Sequence, residues 1–186
     1  AEQGVAMERG FVLADERCRT NLEGVYAVGD IVPGLQLAHR GFQQGIFVAE
    51  EIAGLAPVPV EESAIPRVTY SHPEIASVGL DEEPARSTYG DGAIETLTYD
   101  LGGNGKSQIL QTQGFVKLVR RTDGPVVGVH MVGDRVGELI GEAQLIYGWE
   151  AHAEDVAPLV HAHPTQNEAL GEAHLALAGK PLHAHG

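Results

Sequence analysis

The sequence predicts an α+β fold, an antiparallel sheet flanked by helices, preceded by the remnant of an α/β domain. Three features carry this. Residues 114–121 and 126–132 are strand-like and joined by Thr122-Asp123-Gly124-Pro125, a strong hairpin signal that makes the sheet antiparallel. Strand patterns then give way to helical periodicity, with Val136, Leu139, Ile140, Ala143, Ile146 and Tyr147 on one face, and strands segregated from helices indicate α+β. Ahead of both, Ala56-Pro57-Val58-Pro59-Val60-Glu61-Glu62 is an extended, proline-rich, acidic linker, which sets the expected division into residues 1–62 and 63–186.

Taken in order, the chain opens without an initiating methionine and runs at once into what reads as a helix end, the expectation for a fragment or a processed product. Residues 10–14 are strand-like, and Gly24-Val25-Tyr26-Ala27-Val28-Gly29-Asp30 reads as a short apolar strand closed by Gly-Asp. A carboxylate at the C-terminal end of such a strand sits where open α/β sheets bind cofactors, although an ordinary Gly-Asp turn accounts for it as well. Residues 37–54 read as a helix stopped by Gly54; Phe47, Val48 and Ile52 broaden the apolar stripe of Phe42, Ile46, Ala49 and Ala53, so the helix is expected to be largely buried. Beyond the linker, residues 67–70 and 76–80 flank a turn at Ser71-His72-Pro73-Glu74. Asp81 is placed to cap a short helix through Tyr89, and residues 94–99 alternate as a strand. Asp134 is expected to cap the helix from Val136, and residues 153–159 and 166–178 are predicted helical.

Composition narrows the function classes. Twenty-six acidic against twelve basic residues give a net charge of -14, which opposes attraction to phosphate backbones and anionic membranes and argues against a nucleic-acid partner. The apolar stretches fall short of the roughly twenty residues a membrane span needs, so a soluble cytoplasmic protein is the expectation. The single cysteine, Cys18, has no partner for an intrachain disulfide and, beside Asp15, Glu16, Arg17 and Arg19, is expected to be an inert thiol at an exposed strand end.

The candidate chemistry lies in His161-Ala162-His163-Pro164-Thr165-Gln166-Asn167-Glu168. Two imidazoles and a carboxylate supply a general base and an acidic orienting partner. The same residues also form a capping box, with Thr165 and Glu168 satisfying free amides at a helix N-terminus, and the residues alone leave both readings open. Gly102-Gly103-Asn104-Gly105-Lys106-Ser107 has the glycines and lysine of a phosphate-binding loop, but Asp100 stands where the first glycine belongs. A loop between strands is expected there, with no helix after it. The pairs His161/His163 and His183/His185 could face a metal from extended chain, but without a cysteine partner a polar tail is the simpler account of the second pair.

Residues 20–30 (TNLEGVYAVGD), Leu37-Ala38-His39, residues 70–79 (YSHPEIASVG), 114–119 (GFVKLV), 127–133 (VGVHMVG) and the HAHPTxxE stretch, in this order, resemble the C-terminal part of a pyridine nucleotide-disulfide oxidoreductase. Within that family the His-Ala-His-Pro-Thr wording and the ending Gly179-Lys180-Pro181-Leu182-His183 are most similar to the dihydrolipoyl dehydrogenase branch, with glutathione reductase next. The resemblance implies that Asp30 accepts a hydrogen bond from a flavin ribityl hydroxyl. It implies that the backbone at Leu37, Ala38 and His39 faces the isoalloxazine, that His163 is the base for a dihydrolipoamide thiol, and that Glu168 orients it. Electrons would pass through a redox disulfide and FAD to NAD. The implied partners are a second copy in a homodimer, a 2-oxo acid dehydrogenase complex and its lipoylated protein.

The departures are as informative. The sequence has no Cys-x4-Cys pair and no Gly-x-Gly-x-x-Gly motif, features the family carries in domains upstream. Residues 1–62 thus resemble the end of an FAD-binding domain and its linker, and residues 63–186 the dimerisation domain, whose histidine completes the partner subunit's active site. The chain alone, with few of the flavin's contacts, is expected to be inactive. A noncatalytic dimerisation module and a histidine-based metal binder stand as the alternatives.

Overall fold

The computed structural model describes residues 2–183, in two compact units that divide between Glu62 and Ser63. In the first, β1 (Met7–Glu8) pairs antiparallel with β2 (Phe11–Val12), and Val12, Ala27 and Val32 form a small apolar cluster. The predicted strand over residues 24–30 is reduced to a single bridge between Arg19 and Tyr26, followed by a 3-10 turn at Gly29–Ile31. Helix α1 (Ala38–Ile52) is present but is not largely buried: Phe42, Ile46 and Ile52 are exposed, while Arg40, Gln44 and Phe47 are buried. Hydrogen bonding explains the inversion. Arg40 donates to the carbonyls of Gly29 and Pro33 and pairs with Glu62, and Gln44 Oε1 accepts the Gly29 N–H at 2.7 Å, so the helix uses its polar side to grip the turn. Cys18 is buried rather than exposed, and burial pushes its thiol pKa up.

The second unit is built on a five-stranded antiparallel sheet of β3 (Arg67–Thr69), β4 (Glu74–Gly79), β5 (Ile94–Asp100), β6 (Phe115–Arg121) and β7 (Val126–Gly133), ordered β3-β4-β7-β6-β5. The β6–β7 hairpin predicted from Thr122-Asp123-Gly124-Pro125 lies at its centre and pairs Leu118 with Val129. Alternation dictates what each face buries. Ala76, Val78, Val116, Leu118, Val129 and Met131 point into one core, closed by α4 (Val136–Gly148), α5 (Ala153–Val156) and α6 (Glu168–Leu177). A smaller cluster of Ile94, Val119 and Val127 receives Ala85 of α2 (Glu82–Tyr89). Gly79, at φ 80°, sits where a Cβ would stand 2.4 Å from the Val127 carbonyl oxygen, so β4 can cross β7 this closely only with glycine there.

Local chemistry moved several element ends. The glycine-rich stretch is not a plain loop: a 3-10 turn at Leu101–Gly103 leads into α3 (Gly105–Leu110), because the Asn104 side chain caps the helix by accepting the Ser107 N–H at 3.0 Å. Asp134 does not cap α4; Arg135, in a left-handed conformation, occupies that position. Asp81 precedes α2 without a side-chain cap bond and lies 3.2 Å from His130 instead. Helices α5 and α6 are shorter than predicted. Among the described residues, no helix is long and apolar enough to cross a membrane.

Leu118 is fully buried at the sheet centre. Leu118→Ala is expected to lower the unfolding free energy by about 2–5 kcal/mol, read by urea denaturation; a loss below about 1 kcal/mol would place the main core elsewhere.

Candidate active site

The segment before α6 brings His163 and Glu168 together. The His163 Nδ1 lies 2.8 Å from Glu168 Oε1, and Glu168 Oε2 accepts the Thr165 N–H at 2.7 Å. An ionised carboxylate only accepts, so this contact puts the ring proton on Nδ1 and leaves the Nε2 lone pair free for an incoming proton. The capping box is thus half made. Glu168 reaches back to the Thr165 amide, but the Thr165 hydroxyl donates to the Ala162 carbonyl at 2.6 Å instead of accepting from the helix, and Asn167 is the N-cap.

Electrostatics keeps Glu168 charged. Burial opposes its ionisation, yet the Thr165 amide and the His163 ring together outweigh burial and hold the carboxyl below the ordinary glutamate range. A persistent carboxylate beside the ring stabilises the imidazolium that forms when Nε2 takes a proton.

The two histidines play different parts. His163's side chain is 75% exposed, whereas that of His161 is 11% exposed, with Nε2 held 2.8 Å from Glu142 Oε1 on α4. Asn167 Nδ2 donates to the other Glu142 oxygen, tying the start of α6 to α4. Gly171 makes room for the His161 ring, since a Cβ there would lie 2.6 Å from its Nδ1. Glu142 gave no sign in the sequence, because it occupies a helix of apolar periodicity far from the loop. Asn104, beside the same loop, did carry one, since asparagine is among the preferred residues at a helix N-cap.

His183 also pairs with a carboxylate, its Nδ1 2.8 Å from Glu172 Oε1, while His185 lies outside the described residues. Among the described residues no group of three or more His, Cys, Asp or Glu side chains converges as a metal site would require.

In the first unit, Asp30 stands exposed in the 3-10 turn at Gly29–Ile31, which α1 grips through Arg40 and Gln44. Leu37 is the N-cap of α1 and makes no side-chain cap bond; Ala38 and His39 form the first turn. An exposed carboxylate, which accepts from hydroxyls, and a helix N-terminus, which favours electron-rich atoms, are groups that fit a polyhydroxyl chain and an electron-rich ring oxygen.

Solved structures of similar fold point to a class of protein. LpdA from Mycobacterium tuberculosis superposes with a TM-score of 0.86 at 25% identity, covering 94% of this chain and 38% of that one. The HOCl-induced flavoprotein disulfide reductase RclA from Escherichia coli shares the fold at a TM-score of 0.80, covering 92% of this chain and 40% of that one, at 21% identity. The chain belongs to the pyridine nucleotide-disulphide oxidoreductase family: residues 65–174 match the family's dimerisation domain, and residues 1–45 match a second pyridine nucleotide-disulphide oxidoreductase domain. Dihydrolipoyl dehydrogenase from Bacillus subtilis is 39% identical over 182 residues, covering 96% of this chain and 38% of the relative. Dihydrolipoyl dehydrogenase 2, mitochondrial, from Arabidopsis thaliana is 39% identical over 189 residues, covering 97% and 36%. The chain therefore spans well under half the length of these relatives.

Because the Glu168 carboxyl is depressed in the fold, its bonds stabilise the native state above the unfolded glutamate pKa of about 4.3 and are lost as pH falls through the lower folded value. The difference in Tm between wild type and E168Q is expected to be greatest above about pH 4.3 and to shrink in more acid solution. A difference independent of pH would show that Glu168 acts through shape alone.

Proposed function

We propose that this chain is the C-terminal portion of a flavoprotein disulfide oxidoreductase that oxidises dihydrolipoamide, passing electrons through a redox disulfide and FAD to NAD. The supporting observation is the pairing of exposed His163 with ionised Glu168 in a member of this family, on a sequence that supplies a base and no disulfide of its own. Residues 1–62 are the end of the FAD-binding domain and its linker; residues 63–186 are the dimerisation domain.

In this reading His163 Nε2 takes the proton from a dihydrolipoamide thiol, and the thiolate attacks the disulfide. Glu168 keeps the ring oriented through Nδ1 and holds the imidazolium until the proton leaves. FAD, when bound, supplies the two-electron relay between the dithiol and NAD. Asp30 would accept a hydroxyl hydrogen bond from the ribityl chain, and the backbone at Leu37, Ala38 and His39 would face the isoalloxazine from the N-terminus of α1. The balance closes: the dithiol loses two electrons and two protons, NAD gains two electrons and one proton, and one proton goes to solvent. The protein works as a cytoplasmic homodimer, each His163 completing the partner subunit's site, and serves a 2-oxo acid dehydrogenase complex through its lipoylated protein.

In the complete gene product, His163→Gln is expected to slow dihydrolipoamide oxidation by about 10²-fold or more while flavin stays bound. His161→Gln, altering a ring anchored on Glu142, should cost less. Equal losses in the two variants, or an unaltered rate in the first, would remove His163 as the base.

A further inference from the structure

We infer that the connection between β5 and β6 positions the His163–Glu168 pair: Asn104, Ser107 and Gln166 form a buried hydrogen-bonded clasp that fixes the backbone joining the base to its orienter. The inference rests on the role proposed above for His163.

Each polar atom of the clasp has a specific partner. While Asn104 Oδ1 caps α3, its Nδ2 donates to the Thr165 carbonyl oxygen at 3.2 Å. The Ser107 hydroxyl donates to Gln166 Oε1 at 2.8 Å, and Gln166 Nε2 donates to the Asp134 carbonyl oxygen at 2.9 Å. The three side chains are 3%, 0% and 5% exposed, so these bonds form where water does not compete. Thr165 is held from both sides: its N–H goes to Glu168 Oε2 and its carbonyl to Asn104. The His163 ring itself rests on α3, with Cε1 3.4 Å from where a Gly105 Cβ would stand.

Capping α3 requires only the Asn104 oxygen. The amide nitrogen does something the helix does not need, and Gln166 reaches back from the segment before α6 to meet Ser107 on α3. A displacement of about 1 Å in a reacting group can cost on the order of 10²-fold in rate, which is the scale such a clasp guards against.

Asn104→Asp separates the two roles, because aspartate still caps the helix but places an acceptor against the Thr165 carbonyl. In the complete gene product, N104D is expected to lose about tenfold in kcat for dihydrolipoamide with KM within about twofold. Its NADH-to-quinone activity, which needs no thiol base, should stay within about twofold, with flavin content near wild type and a Tm lowered by the buried carboxylate. Should N104D not fold, S107A, which deletes one hydroxyl, is expected to show the same selective loss at about threefold. Wild-type thiol oxidation in the variant tested overturns the inference, and so does a loss shared equally by both activities. H163Q, measured alongside, keeps the two claims apart: if it retains thiol oxidation the base assignment itself fails, and if it alone loses that activity only the clasp fails.

Discussion

The carboxylate of Glu168 can hold the His163 ring only because the first turn of α6 is fixed, and that turn is fixed by what the helix buries. Ala169, Leu170, Ala173 and Leu177 are sealed in the main core. Burying a side chain such as Leu170 contributes roughly 1.5–3 kcal/mol, more than a hydrogen bond to the solvent-facing ring can. The dyad is therefore a by-product of helix packing: the apolar side of α6 sets where its first residue stands, and the loop before it is cut to reach from there to the imidazole.

Polar groups within this packing are mostly satisfied, and the exceptions are informative. His174, fully buried on α6, donates from Nδ1 to the Leu170 carbonyl at 2.6 Å, and its Nε2 has no partner. Burial lowers its pKa and keeps it neutral. The Tyr99 hydroxyl is likewise buried without a partner; burial first, then the charges of Glu172 and Glu168, push its pKa up to about 12. Both side chains are thus held in their uncharged forms at working pH and serve as packing groups. His163, in contrast to His174, keeps its second ring nitrogen at the exposed surface.

Much of the second unit was legible in the sequence because its signals are local. The hairpin turn, the alternation of β5 to β7 and the apolar stripe of α4 each depend on neighbours in the chain, and all lie close to their expected places. What could not be read were pairings across long separations. Asp134 failed as a cap because left-handed Arg135 takes the N-cap position and the Asp134 carboxylate lies against His72, and Thr165 failed as one because its hydroxyl turns to Ala162. In α1 the apolar spacing was sound, but the buried side was decided by Arg40 and Gln44 gripping the Gly29 turn. The motif His-Ala-His-Pro-Thr named the relevant stretch, and the resemblance pointed to His163 within it; the physical difference, an exposed His163 and a His161 locked onto Glu142, depends on a contact across 19 residues.

Gly171 ties these layers together. A glycine inside a helix costs about 1 kcal/mol relative to alanine, so replacing it would ordinarily strengthen α6. Here a single methyl would stand 2.6 Å from His161 Nδ1 and push the ring off Glu142. The most accessible stabilising change in the helix is closed, and a lineage drifting toward a sturdier α6 must first surrender its anchored imidazole. The mutational freedom of the loop is thus set from behind, by a buried glycine on the helix that follows it.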